Sequence, residues 1–404
     1  MTTLSERILR APAGEYVDRR VDRAYVHDGT GVLTLETLKA LNSGEIAFPN
    51  RTYILFDHII PANNSITAEL QHELRDFACS GTLHFSDIGG GICHQLMSEG
   101  EALPGEIIVG ADSHTCTLGA FGAFATGIGA TDMAAIWASG STWFRVPETI
   151  GIWLSGRLCG YSEAKDLALT YVSHLGMDGA TYRALEFVGD GSTHLSMDSR
   201  LTLCNLAVET GAKTGMFYAD SVTRRYLETF GQIITPQEPA SSHYEQELGF
   251  ELDDIVPVIA VPPRVDTVRP ASDLCGIPLD QVFVGTCTNG RYEDLSRFAS
   301  IVKGRKVKIR TIVAPASRMV LENAIRTGIL SDIVNAGCTV IPPGCGPCLG
   351  AHMGVIGKGE TCLSTSNRNF INRMGVGGEI YLSSVSTAAA SSLAGEIALP
   401  GGDV

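Results

Sequence analysis

Short apolar runs alternate with stretches of helical spacing along this chain, the pattern of layered α/β domains. Tyr53-Ile54-Leu55-Phe56 reads as a strand. Beyond it, Ile66, Leu70, Leu74 and Phe77 recur on one face of a helix that starts near Ser65 and stops at Gly81. Further strands are predicted at Glu106-Ile107-Ile108-Val109, Gln281-Val282-Phe283-Val284, Thr339-Val340-Ile341 and Glu379-Ile380-Tyr381-Leu382. The small, Ala-rich stretch Ser386 to Leu393 predicts a closing helix. Composition shifts at Arg145-Val146-Pro147-Glu148 and at Val261-Pro262-Pro263-Arg264 divide the chain into expected domains 1–147, 148–264 and 265–404.

The residues with chemistry follow the strands directly. Asp57-His58 follows the first, Asp112-Ser113-His114 the second, Cys287 the third and Cys345 the fourth. Open α/β sheets bind ligands just beyond the carboxyl ends of their strands. Cys287 stands alone in Gly285-Thr286-Cys287-Thr288-Asn289, while Cys345 and Cys348 form a CxxC in Gly344-Cys345-Gly346-Pro347-Cys348. Three such thiols suit an iron–sulfur cluster with one iron left open as a Lewis acid. A CxxC also fits a thiol–disulfide pair or half of a zinc site, and a cysteine can simply be a small buried residue.

His58, His94 and His114 sit on three loops, with Asp57 and Asp112 beside two of them. A carboxylate fixes an imidazole's tautomer and raises its basicity. Any one of these histidines alone reads better as a structural residue; together they point to a site. Glu209 lies near the end of a segment that looks like a packed helix, where a lone glutamate reads as a solvated end residue. Arg368, in Ser364-Thr365-Ser366-Asn367-Arg368-Asn369-Phe370, and Arg373 suit bidentate capture of a di- or tricarboxylate, or are surface arginines in a polar loop.

Composition narrows the classes. The chain has 404 residues, 44% of them apolar, which supports two or three domains with ample core. A net charge of −14 disfavours nucleic acid and anionic membranes as partners. The one basic run, Lys303 to Arg310, alternates with Val307 and Ile309 and reads as the solvated face of a strand. No apolar stretch reaches a membrane-spanning length, and the first residues lack a signal-peptide core. Eleven cysteines without an export signal point to a reducing cytoplasm and to thiolate or metal chemistry.

Taken together, Asp57-His58, Gly91-Ile92-Cys93-His94-Gln95, Gly110-Ala111-Asp112-Ser113-His114-Thr115, the two cysteine motifs and the Arg368 loop resemble the aconitase superfamily. The likeness covers nearly the whole chain and is nearest the short large subunits of 3-isopropylmalate dehydratase and homoaconitase. It implies an α/β fold of three α/β/α domains around a [4Fe-4S] cluster. Cys287, Cys345 and Cys348 would be its ligands, leaving one iron without cysteine. Asp57, His58, His94, Asp112, His114 and Glu209 would be the acid–base set. Ser113, Asn367, Arg368 and Arg373 would lie on the substrate side.

His27 stands before Asp28 where aconitases proper carry Gln, which favours the dehydratase branch; it too is placed on the substrate side. Thr286 replaces a common Ser. The sequence stops at Val404, without the swivelling fourth domain that bears the catalytic serine in single-chain aconitases. The resemblance therefore implies a separate small subunit and, as substrate, a small-molecule 2-hydroxy dicarboxylate. Its rivals are homoaconitase or a methylmalate or citrate-like dehydratase, a cluster-free RNA-binding regulator, and a zinc or dithiol oxidoreductase built on Cys345 and Cys348.

Overall fold

A computed structural model describes residues 2–41, 46–237, 239 and 244–401. Two compact units emerge from its contacts, and the chain passes between them repeatedly. The first comprises Met1–Ile88, Cys93–Ser155 and Asp178–Phe250; the second comprises Gly89–Ile92, Gly156–Met177 and Glu251–Val404. Contacts thus gather the chain into two units, where composition shifts divide it into three consecutive segments.

The first unit holds a five-stranded sheet in the order His84–Ser86, Thr52–Leu55, Arg23–His27, Ile107–Gly110, Phe124–Gly127. Every pairing in it is parallel. Its inner strands are buried along their length, which is why they read as unbroken apolar runs. Helices Asp28–Ala40, Ser65–Ser80 and Ala130–Ser139 carry Leu35, Leu74 and Trp137 into one core with Val26, Ile54 and Val109. The helix predicted from Ser65 to Gly81 is there, with Asn64 capping its start and accepting from the Thr67 amide. Of its expected apolar stripe only Leu74 is fully buried, with Phe77 partly so. Ile66 and Leu70 are 68% and 39% exposed. The polar Gln71 takes an inner position instead, donating to the Ile59 carbonyl at 2.8 Å and to Asp28 Oδ2 at 3.3 Å.

A second sheet in this unit runs Thr214–Phe217, Ala184–Val188, Thr149–Ser155, Gln246–Glu251. An antiparallel ribbon pairs Tyr16–Arg20 with Ser141–Arg145.

The second unit is built on seven strands in the order Val268–Pro270, Val258–Ala260, Glu379–Leu382, Thr361–Ser364, Gln281–Val284, Arg310–Val313, Thr339–Val340. The last five are parallel, and the first two add an antiparallel edge. Phe298, Val320, Ile333 and Leu393 cover it from helices Tyr292–Val302, Arg318–Arg326, Ile329–Asn335 and Val385–Ala394. The expected Ala-rich helix is the last of these. The basic run ends differently from expectation. The strand begins only at Arg310, and residues 303–309 form the turn before it, with Lys306 donating to the Asn335 carbonyl at 2.6 Å. Among the described residues no helix is long and apolar enough to cross a membrane.

Candidate active site

In the first unit, four imidazoles surround one carboxylate, and not all of them sit on loops as expected: His27 ends the strand Arg23–His27, His94 lies in the helix Cys93–Ser98 and His114 in the 3-10 helix Ser113–Phe121. Asp112 follows Ile107–Gly110 and receives His94 Nε2 at 2.9 Å and the His114 amide at 2.8 Å. His27 Nε2 and His58 Nε2 each lie 3.6 Å from its other oxygen, and His114 Nδ1 lies 3.7 Å from the first. Burial alone would favour the neutral acid. The electrostatic pull of the neighbouring His94 and the bonds from His114 and His94 outweigh it and hold the Asp112 carboxyl well below its ordinary range.

Three more carboxylates brace this arrangement. Asp57 Oδ1 holds His58 Nδ1 at 2.6 Å, and its Oδ2 accepts from the Cys93 amide at 2.7 Å. Burial again opposes ionisation, but His58, His27 and that amide keep Asp57 below its usual value. Glu209 Oε1 holds His114 Nε2 at 2.9 Å. This glutamate is 7% exposed, so it is no solvated helix end; it lies in the 3-10 turn Ala207–Thr210 and fixes an imidazole. The third, Asp28, is not evident from sequence reasoning. It accepts from the amides of Asp57, His58 and Ile59 at 3.1, 2.9 and 2.8 Å, which shapes the Asp57-His58 loop.

Tautomers follow from these partners. His27 Nδ1 accepts from the Gly29 amide at 3.0 Å, so its proton sits on Nε2, toward Asp112. The ring stacks on His58 at 3.8 Å. Burial, and then the nearby His58 charge, push the His27 value down to about 4, so the ring is neutral near pH 7. Thr115 Oγ1 donates to the Asp112 carbonyl and accepts from Tyr25 Oη, which leaves Tyr25 to accept from His94 Nδ1 at 2.8 Å. Both His94 nitrogens thus have an oxygen partner, Tyr25 Oη on one side and Asp112 Oδ1 on the other. Ser113 Oγ lies 3.2 Å from His114 Nδ1.

In the second unit, the three cysteines and the arginine loop also follow parallel strands of one sheet. Cys287 lies in the short helix Thr286–Asn289, one glycine beyond Gln281–Val284. Arg291, itself buried, turns its guanidinium onto the carbonyls of Cys287 and Thr288. Cys345 and Cys348 flank the turn Gly346–Leu349, with the Cys348 amide donating to the Cys345 carbonyl at 3.2 Å. Asn367 leaves the strand Thr361–Ser364 and joins the remote cysteine to the CxxC. Its Nδ2 donates to Cys287 Sγ at 3.4 Å, and its Oδ1 lies 3.8 Å from Cys348 Sγ. Cys345 packs with Cys287, Ile92 and Ala316 in one buried cluster. Arg373 reaches Cys348 Sγ at 3.9 Å, while its Nε is buried without a partner. Arg368 is half-buried on the same loop.

This donor set fits an iron–sulfur cluster. Three cysteines are buried, with an amide N–H on Cys287 Sγ and a guanidinium on Cys348 Sγ, the groups that favour thiolates and tune cluster potentials. A disulfide confined to Cys345 and Cys348 leaves the link to Cys287 without purpose. Cys338 and Cys362 differ: burial pushes both up to about 12, so they stay neutral thiols.

Glycines allow the close turns. Gly346 has φ 55°, and a Cβ there would meet Ile341 Cδ1 at 2.6 Å; a Cβ on Gly350, φ 76°, would lie 2.2 Å from the Arg373 carbonyl oxygen. Gly350→Ala should therefore separate the cysteine turn from the arginine loop and destabilise the protein by about 1–3 kcal/mol. Urea unfolding measures this, and a change within error of zero would contradict the close approach.

Comparison with known proteins agrees with these features. The model of the aconitase family (aconitate hydratase) matches residues 4–276 and 265–395. The chain is 50% identical to the probable methanogen homoaconitase large subunit of Methanosarcina mazei, covering 94% of this chain and 98% of that one. It is 46% identical to the 3-isopropylmalate dehydratase large subunit 1 of Methanopyrus kandleri, covering 98% of each. Among solved structures, the aconitase X of Thermococcus kodakaraensis superposes with a TM-score of 0.52 at 13% identity, over 87% of this chain and 84% of that one, a likeness of fold. With strand-end thiols, clustered imidazoles and a family match over nearly its whole length, the chain belongs to the aconitase family.

Proposed function

We propose that this chain is the large subunit of a hydro-lyase, which isomerises a 2-hydroxy dicarboxylate by dehydration and rehydration. The observation that carries this reading is Asn367, which draws Cys287 and Cys348 into one site beside Arg373. Cys287, Cys345 and Cys348 would hold a [4Fe-4S] cluster with one iron free of cysteine, which when bound supplies Lewis-acid polarisation of the substrate hydroxyl.

The remaining work belongs to side chains. Arg368 and Arg373 bind carboxylates, and Ser113, His27 and Asn367 orient the substrate. His58 or His114 gives the proton with which the hydroxyl leaves as water. Asp57 keeps His58 Nδ1 engaged and Glu209 keeps His114 Nε2 engaged, so each ring presents its other nitrogen. A base removes the proton from the neighbouring carbon, and the electron pair of that C–H bond becomes the alkene. Water then returns in the opposite sense, hydroxyl to the second carbon and proton to the first. The base is assigned to a small subunit, in keeping with the "large subunit" names of the relatives.

The substrate reading is 2-isopropylmalate going to 3-isopropylmalate, a step of leucine biosynthesis, in the cytoplasm. A homoaconitase is the second reading, favoured by the relative at 50% identity. The purified chain should load iron and sulfide yet show no turnover until a small subunit is added. A panel of isopropylmalate, homocitrate, citrate and methylmalate on the reconstituted pair then selects the substrate. Full activity from the single chain would overturn the two-subunit reading.

A further inference from the structure

One buried cation has no place in the chemistry above. Lys165, in helix Ala164–Leu175 of the second unit, is 0% exposed. Its ammonium donates to the carbonyls of Thr365 and Ser366 at 2.6 and 2.7 Å and to Asn289 Oδ1 at 3.4 Å. These three acceptors belong to the two loops that matter most. Asn289 lies two residues after Cys287, and Thr365 and Ser366 directly precede Asn367 and Arg368. Among the described residues, Lys165 has no carboxylate within ion-pair distance. A cation taken wholly out of water, with only dipoles around it, is costly unless an anion answers it.

The charges in range are those of Cys287, Asp294, Cys348 and Asp166. Asp294 is occupied by Asn289 Nδ2 and the Arg291 amide, each at 2.9 Å. Asp166 faces away, to the Val258 and Glu163 amides at 3.0 and 2.9 Å. Burial and the like charge of Glu163 push its carboxyl up to about 8. The thiol site is left as the source of balancing negative charge.

We propose that Lys165 is the positioning residue of the thiol site, fastening the Cys287 turn to the Asn367–Arg368 loop and setting one fixed positive charge behind the thiolate-bound cluster. The proposal rests on the cluster reading above. Burial draws this ammonium down to about 7, and Cys287 is foremost among the groups that oppose the fall.

The test compares the unaltered chain with Lys165→Met, Lys165→Gln and Lys165→Arg, each reconstituted anaerobically with ferrous iron and sulfide. Four quantities are read: iron and sulfide per chain, the rate of iron loss to a chelator, the midpoint potential of the cluster, and the urea midpoint of the iron-free protein. Lys165→Met should lose iron at least tenfold faster and shift the potential to a more negative value. Lys165→Gln keeps donor groups without charge, so its potential should fall as well. Lys165→Arg should restore the potential toward that of the unaltered protein.

An unchanged potential and unchanged iron loss in either folded neutral variant would overturn the proposal. So would collapse of both neutral variants when iron-free, which would make Lys165 a residue of the fold alone. Absence of iron and sulfide from the unaltered chain would instead defeat the cluster reading itself.

Discussion

Serine in place of Cys287, Cys345 or Cys348 is expected to strip the protein of iron and sulfide, together with its visible absorbance. Hydro-lyase activity of the reconstituted pair should fall by at least about 10³-fold, since removing a metal ligand removes the Lewis acid and the geometry it fixes. Serine is close in size to cysteine, and all three thiols lie in buried, well-packed turns, so the fold should survive. Cys79→Ser and Cys159→Ser are the controls. Both cysteines are exposed, and neither change should alter iron content. Retention of full iron and sulfide by any one of the three variants would remove that cysteine from the site. Zinc without sulfide in the unaltered protein would favour the dithiol or zinc alternative.

Asp112→Asn has the second largest expected effect. The carboxylate serves four imidazoles, and an amide cannot accept from all of them while also offering N–H groups of its own. We expect kcat to fall about 10²–10⁴-fold, the range associated with loss of placed acid–base groups. KM should move much less, because carboxylate binding is proposed for Arg368 and Arg373 and not for Asp112. Steady-state kinetics on the two-subunit enzyme, beside a melting curve, separates loss of catalysis from loss of fold. A fall in kcat of less than about threefold in a stable variant would show that Asp112 only fills space.

Much of this was legible in the sequence because it is local. An apolar run followed at once by Asp-His, Asp-Ser-His or Gly-Thr-Cys names both the strand and the loop that ends it, and the structure has those strands with those loops. What could not be read was pairing over distance. Glu209 looked like a helix end because its partner His114 is 95 residues away. Lys165 has no local signal, its acceptors being 124 to 201 residues further on. The stripe through Ile66 and Leu70 failed for another reason. Periodicity shows which face of a helix is apolar, but not how far along that face the core extends.

The interleaving of the two compact units is a topological fact that no linear shift in composition could reveal. Short segments, Gly89–Ile92 and Gly156–Met177, join a unit whose bulk begins at Glu251. The first is held there by an isolated bridge between Gly91 and Ser317 and by the Ile92 amide on the Ala316 carbonyl at 2.8 Å.

The crowding of four rings on Asp112 also governs what a plot of rate against pH can mean. Protons at such a hub are held in common, so the apparent ionisations will be macroscopic constants of the assembly and not properties of single histidines. His27 is neutral until about pH 4 in the folded chain but takes up its proton near 6.5 when unfolded. Between those values the unfolded form binds more protons, so acidification through that window draws the equilibrium toward it. A shift in pH optimum after altering any one ring should therefore be read as a redistribution over the whole hub.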